Sequence, residues 1–147
     1  MSHDSHPYSA ESPRLVLIVD DCRMTRRLLA MYVQQAGYEP IVAENGLDAL
    51  EKLGREPCSI IVTDLNMPQM DGVELIHALR AHPLYNRIPV ILLTTQGEEE
   101  ERRNGLAAGA TAFLTKPITQ SALIREIERA SRHDQEALSM AVQDLES

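Results

Sequence analysis

The stretch Ser59-Ile60-Ile61-Val62-Thr63-Asp64 constrains this chain more than any other. Ile60 to Thr63 is an apolar, β-branched run too short for a helix core, and it reads as a strand buried on both faces. Such a strand belongs in a parallel sheet covered by helices. Its last residue is a carboxylate, which in a buried setting needs a partner or a reason. In an open parallel sheet, ligands bind just beyond the carboxyl ends of the strands, where Asp64 falls. Pro68 and Gly72 then turn the chain away into a helix. Taken alone, Asp64 is also readable as a turn cap. Its companions decide.

The same arrangement recurs along the chain. Arg14 to Val19 is a second buried-strand run, and it ends in Asp20-Asp21. A helical period follows, with Leu28, Leu29, Tyr32, Val33 and Ala36 on one face, Asp21 as the expected N-cap and Gly37 as the stop. Ile41 to Ala43 is a short strand, and Asn45-Gly46 opens a helix with Leu47, Leu50 and Leu53 inward. After the Asp64 strand comes a helix from about Gly72 to Ala81, with Val73, Ile76 and Leu79 inward. Ile88 to Leu93 is a fourth strand ending in Thr94-Thr95. Glu98 to Ala108 is its helix, with Glu98 to Glu101 at the positive end of the dipole and expected simply to be solvated. Gly109 ends it. Thr111 to Thr115 is the fifth strand, ending in Lys116-Pro117, and a last helix from near Thr119 carries Leu123, Ile124, Ile127 and Ala130. Strict strand–helix alternation with short loops predicts an α/β fold: a doubly wound, five-stranded parallel sheet with helices on both faces.

Composition sets the bounds. A chain of 147 residues holds one core, and 44% hydrophobic with 24% charged residues is ordinary for a globular domain. With no Trp and one Phe the core must be aliphatic. A formal net charge of −8 argues against holding nucleic acid by a basic surface. Cys22 and Cys58 form no CxxC pair and read as reduced thiols of a cytoplasmic protein. No apolar stretch approaches a membrane span or a signal peptide's core. Residues 1–13 are polar and aperiodic, a leader expected to be disordered, whose His3 and His6 are not expected to hold a metal.

Four of the strands therefore end in a chemically useful residue: Asp20 and Asp21, Asp64, Thr94 and Lys116. Parallel strands bring these ends to one edge of the sheet. Three carboxylates in one pocket repel unless a cation joins them, and hard oxygen ligands select Mg²⁺ or Mn²⁺. Lys116 supplies a positive charge and Thr94 a hydroxyl, which together suit a tetrahedral, doubly negative group attached to one carboxylate. An ionised Asp is a competent nucleophile toward phosphorus, and phosphoryl transfer asks mainly for positioning and charge neutralisation. Aspartyl phosphorylation is the chemistry these residues point to.

With those residues in place, the chain resembles the receiver domain of two-component response regulators, of the single-domain, CheY-like chemotaxis kind. The resemblance covers residues 14–132. It rests on Asp20-Asp21, on Asp64-Leu65-Asn66-Met67-Pro68-Gln69-Met70-Asp71-Gly72, on Leu93-Thr94-Thr95 and on Lys116-Pro117. It implies a flavodoxin-like sheet of order 2-1-3-4-5, with Asp64 as phosphoryl acceptor from a histidine kinase or phosphotransfer protein. It further implies that Asp21, Asp64 and the Asn66 backbone carbonyl ligate Mg²⁺, with Asp20 acting through water. By the same resemblance Thr94 and Lys116 contact the phosphoryl oxygens, and the Lys116-Pro117 bond is cis. Phe113 takes the aromatic switch position; with Thr94 it changes the face of helix 4, strand 5 and helix 5, through which a protein target is bound. Asn66 and Gln96 lie where receivers tune self-dephosphorylation. The implied switch catalyses only its own phosphoryl transfer and its own dephosphorylation.

Residues 133–147 depart from a minimal receiver. Leu138, Ala141, Val142 and Leu145 share a helical face, suiting a continued last helix, dimerisation, or a linker to a further domain. A receiver fragment of a longer regulator, or a phosphorelay intermediate, is thus an alternative. An aspartyl-phosphate phosphatase fits less well, because Asn66 stands where such enzymes place a second acid. A nucleotide or flavin module would need a Gly-rich loop after strand one, where this chain has Asp20-Asp21-Cys22-Arg23.

Overall fold

The computed structural model describes residues 14–132. The expectations for the 1–13 leader, including His3 and His6, and for the 133–147 extension fall outside the described residues. Five parallel strands form one sheet: β1 (Leu15–Val19), β2 (Glu39–Ala43), β3 (Ile60–Asp64), β4 (Val90–Thr94) and β5 (Ala112–Thr115). Their order is β2-β1-β3-β4-β5, as the resemblance implies. The connecting helices are α1 (Arg23–Gln35), α2 (Gly46–Arg55), α3 (Gly72–Arg80) and α4 (Glu99–Ala108), followed by α5, helical from 120 to 132.

Each strand sends alternate residues to opposite faces, and the sheet is apolar on both. Leu17, Val19, Ile61, Val90 and Leu92 pack with Leu53 of α2, Leu75, Ile76 and Leu79 of α3 and Ala108 of α4. Val16, Ile18, Ile60, Val62, Ile91 and Leu93 face Leu29 and Val33 of α1 and Leu123, Ile127 and Ala130 of α5. Each large aliphatic side chain so buried contributes about 1.5–3 kcal/mol of transfer free energy. Every residue of β3 and β4 is buried, so Asp64 rides on the centre of the fold.

Several local expectations are corrected. Asp21 does not cap α1: the N-cap is Cys22, with no side-chain cap bond, and Asp20 rather than Asp21 accepts the Cys22 N–H. The buried face of α1 is narrower than its period suggests. Leu29 and Val33 are buried, whereas Leu28 and Ala36 are exposed, because the helix touches the sheet along one ridge. Leu47 points outward and Ala49 takes its place in the core beside Leu53. Asn45 does cap α2, accepting from the Asp48 N–H at 2.9 Å. Asp71 and Glu74 form a reciprocal capping box on α3, which fixes where the chain leaves the Asp64 loop. Gly37 and Gly109 stop α1 and α4 with φ of +97° and +120°, backbone that an L side chain rarely adopts.

Candidate functional site

The register of the sheet assembles the site. Val19 lies opposite Thr63, so Asp20 leaves β1 beside Asp64. Asp64 lies opposite Leu93 and Thr94 opposite Thr115, so Thr94 and Lys116 follow at the same edge. Asp20, Asp64 and Thr94 are buried, while Asp21 is exposed at the mouth. Carboxylate oxygens of Asp20, Asp21 and Asp64 all lie within 4.8 Å of one another.

Lys116 bridges the buried pair. Its Nζ stands 3.1 Å from Asp64 Oδ1 and 3.6 Å from Asp20 Oδ2. Asp64 Oδ1 also accepts the Leu65 N–H at 2.9 Å. Asp20 Oδ1 accepts the Cys22 N–H at 2.8 Å, and Arg26 Nη1 donates to the Asp20 carbonyl at 2.7 Å. Asp20 Oδ2 is wholly buried and has no hydrogen-bond partner. Burial and the neighbouring Asp20 charge push the Asp64 carboxyl above its ordinary value, against the pull of Lys116. For Lys116, burial acts downward, but Asp64 and Asp20 together hold the ammonium above its usual value.

One ammonium set against three carboxylates leaves an excess of negative charge, and one buried oxygen lacks any donor. An oxygen-only donor set of that kind fits a hard divalent cation such as Mg²⁺. Asn66, whose backbone follows Asp64 by two residues, is exposed at the same mouth.

Of the remaining residues singled out from the sequence, Thr94 and Lys116 stand at the strand ends that border this pocket. Thr94 Oγ1 donates to the Leu114 carbonyl at 3.4 Å, and the Lys116 N–H donates to the Thr94 carbonyl at 2.7 Å. The Lys116-Pro117 peptide bond is cis. Phe113 is not a core aromatic: the residue is 38% exposed, with the Arg102 guanidinium 4.8 Å from its ring centroid. Gln96 is exposed in the β4–α4 loop, and no hydrogen bond joins its side chain to the site among the described residues.

Glu99, Glu100 and Glu101 are exposed, as a solvated stretch requires, but Glu98 is partly buried and departs from that expectation. Its carboxylate accepts from the Thr95 N–H at 2.6 Å and from Asn66 Nδ2. Burial would raise its carboxyl, yet the Thr95 and Asn66 hydrogen bonds and the Lys116 charge outweigh this and hold it below the usual range. Nothing in the period of α4 marks Glu98 out from the acids beside it; only the folding of the β4–α4 loop over the Asp64 loop does.

The comparisons agree with this geometry. The response regulator receiver domain model matches residues 16–128. Chemotaxis protein CheY1 of Helicobacter pylori is 36% identical over 115 residues, covering 77% of this chain and 93% of that protein. The structure of the chemotaxis response regulator CheY4 of Vibrio cholerae superposes with a TM-score of 0.75 at 36% identity, covering 80% of this chain and 98% of that one. The transcriptional regulatory protein SrrA of Staphylococcus aureus is 35% identical over 120 residues, which are 82% of this chain and 48% of SrrA. A doubly wound sheet with an acidic pocket, a threonine and a lysine at its carboxyl edge is the architecture of a receiver-type signalling module. The chain belongs to the response regulator receiver domain family, and it is a CheY-like receiver of two-component signalling. Receiver domains are signalling switches that interact with kinases and downstream targets. None of the helices among the described residues is long and apolar enough to cross a membrane.

Proposed function

We propose that this chain is a switch charged by phosphorylation of Asp64. The observation that carries the reading is the placement of Asp64 at the end of the central strand, with Lys116 Nζ 3.1 Å from its Oδ1 and two further carboxylates within 4.8 Å. Asp64 attacks the phosphorus of a phosphohistidine on a histidine kinase or phosphotransfer protein; the P–N bond breaks and the imidazole leaves. Asp21, Asp64 and the Asn66 carbonyl would hold Mg²⁺, with Asp20 reaching it through water, and Mn²⁺ would serve in its place. Bound there, the ion neutralises the excess charge of the carboxylates and the incoming phosphoryl group.

Lys116 pairs with one new phosphoryl oxygen, giving up its contact with the free carboxylate. Thr94 exchanges its long bond to the Leu114 carbonyl for another oxygen. That movement empties space behind β4, into which the outward ring of Phe113 turns. The changed face of α4, β5 and α5 is then read by a protein target. Asn66 and Gln96, both exposed, govern how readily water removes the phosphoryl group. The chain is no enzyme toward other substrates; it acts on its own Asp64, in the cytoplasm, without nucleic acid or membrane, as a monomer or homodimer.

The match to about half of SrrA favours a second setting for the same chemistry, in which the receiver serves a longer regulator or passes its phosphoryl group along a relay. The test of the switch is intact mass after incubation with Mg²⁺ and acetyl phosphate. One phosphoryl group is gained by the native chain and none by Asp64→Asn or in EDTA. A native chain that stays at its starting mass overturns the reading.

A further inference from the structure

We infer that Glu98 is a latch across the mouth of the Asp64 pocket, a positioning residue that restrains both phosphodonor entry and the movement of Thr94. The inference rests on the proposed phosphorylation of Asp64. Two loops from different strands come together at the site's edge: the one after β3, carrying Asn66, and the one after β4, carrying Thr95. Glu98 ties them together, one carboxylate oxygen accepting from the Thr95 N–H at 2.6 Å and the other from Asn66 Nδ2. The side chain is half-buried, unlike Glu99, Glu100 and Glu101, which are exposed.

The tie has a local cost that shows it is not an ordinary helix cap. Glu98 occupies the N-cap of α4, yet the residue makes no side-chain cap bond to the helix. Its carboxylate turns back toward the strand ends instead, leaving the first turn of α4 uncapped. A helix end in that condition is readily re-aimed once the tie breaks.

Two consequences follow for the reaction. Thr95 is the next residue after Thr94, so a backbone shift that carries the Thr94 hydroxyl toward a group on Asp64 strains or breaks the Thr95–Glu98 bond. Hydrogen bonds to an ionised carboxylate are stronger than neutral ones, so the unphosphorylated arrangement is favoured. A phosphodonor is anionic, and a fixed carboxylate at the mouth repels it. Once Asp64 carries a phosphoryl group, its oxygens repel Glu98 and compete for the Asn66 amide. The latch opens and the first turn of α4 is released at the same moment as Thr94 moves.

The test uses the full chain at saturating Mg²⁺ with acetyl phosphate, following intact mass with time for Glu98→Ala, Glu98→Gln and Glu99→Ala. Hydrogen exchange of the backbone at residues 95–98 is read alongside in metal-free protein. Glu98→Ala takes the phosphoryl group about five- to tenfold faster than the native chain, a change on the scale of one broken tie, and residues 95–98 exchange faster. Glu98→Gln keeps an acceptor oxygen without the charge and falls between the two. Glu99→Ala, removing the same charge one residue away, matches the native chain. A native or slower rate in Glu98→Ala, or an equal gain in Glu99→Ala, overturns the latch. A native chain that takes no phosphoryl group defeats the switch reading instead; the latch is then judged by exchange alone, and unchanged exchange in Glu98→Ala overturns it.

Discussion

Lys116 reaches Asp64 across the width of β4, its Nζ standing 3.1 Å from Asp64 Oδ1 although Asp64 ends β3 and Lys116 follows β5, strands that are not neighbours. The same nitrogen is 3.6 Å from Asp20 Oδ2, which has no other polar partner. One cation therefore holds down two buried carboxylates. The pocket is arranged for a charged visitor rather than for the stability of the fold, and its energetics should show this.

Replacing Asp64 by Asn removes one of two repelling buried charges. The expected outcome is a gain in metal-free stability on the order of 1 kcal/mol, together with loss of phosphorylation. The sign with pH follows from the raised Asp64 carboxyl. The folded chain binds that proton more tightly than the unfolded chain, so native stability from this group is greatest at low pH. It falls as pH rises from the unfolded value through the raised folded one. Urea unfolding at pH 5 and pH 7, native against Asp64→Asn, reads both effects; an Asn variant less stable at pH 7 contradicts the account.

Lys116→Ala should move the other way. It leaves Asp20 and Asp64 facing each other without a cation and costs about 2–3 kcal/mol, below the range for fully buried pairs because the ammonium is partly exposed. The raised Lys116 means that its stabilisation is complete below the free-lysine range and is lost as pH climbs through its folded value. Adding Mg²⁺ should raise the Tm of Lys116→Ala by more than that of the native chain. Thermal unfolding with Mg²⁺ and with EDTA measures the difference.

Gly72 is where the chain turns beneath the loop that follows Asp64. A Cβ there would stand 2.5 Å from the Asp64 carbonyl oxygen and 3.1 Å from Leu65 Cα, both backbone atoms that cannot step aside. Gly72→Ala should lose about 1–3 kcal/mol and slow phosphorylation as well, since the displaced segment carries the acceptor. The urea midpoint and the rate of mass gain should fall together.

The two thiols should differ sharply. Burial, with Glu56 adding to it, pushes the Cys58 thiol up to about 11. Cys22 is exposed, and hydrogen bonds from Thr25 act to lower its pKa. Iodoacetamide at pH 8 should alkylate Cys22 in the folded chain and Cys58 only after denaturant is added. Peptide mapping distinguishes the sites.

Phe113 offers an optical probe, because the chain has no Trp. Phe113→Trp should emit as a half-exposed indole in the resting protein. With Mg²⁺ and acetyl phosphate its emission should shift to the blue as the ring turns inward, and the shift should vanish in the double variant with Asp64→Asn.

What could be read in advance followed from geometry that strands impose. Parallel strands share an edge, so Asp20, Asp64, Thr94 and Lys116 could be placed together from the ends of their apolar runs. Their burial on both faces announced helices on both sides. Helix faces were less legible: Leu28 and Leu47 sit at core-like positions of the period yet face water, because a helix crossing a twisted sheet touches it along a single ridge. The Asp71–Glu74 capping box is encoded in the local pattern D-x-x-E. Glu98 was beyond reach in principle. Its role comes from two loops approaching through space, and no spacing along the chain encodes that approach.

β3 is buried along its whole length, whereas β5 is a four-residue edge strand with none of its residues fully buried. The site is thus mounted on an anvil, and the readout on a leaf spring. Edge elements open locally at lower cost than central ones. On the proposed switch, background output from the uncharged protein would accordingly follow the compliance of β5 and α4 rather than the chemistry at Asp64. Substitutions that stiffen or loosen that edge would retune the resting noise of the signal while leaving its trigger intact.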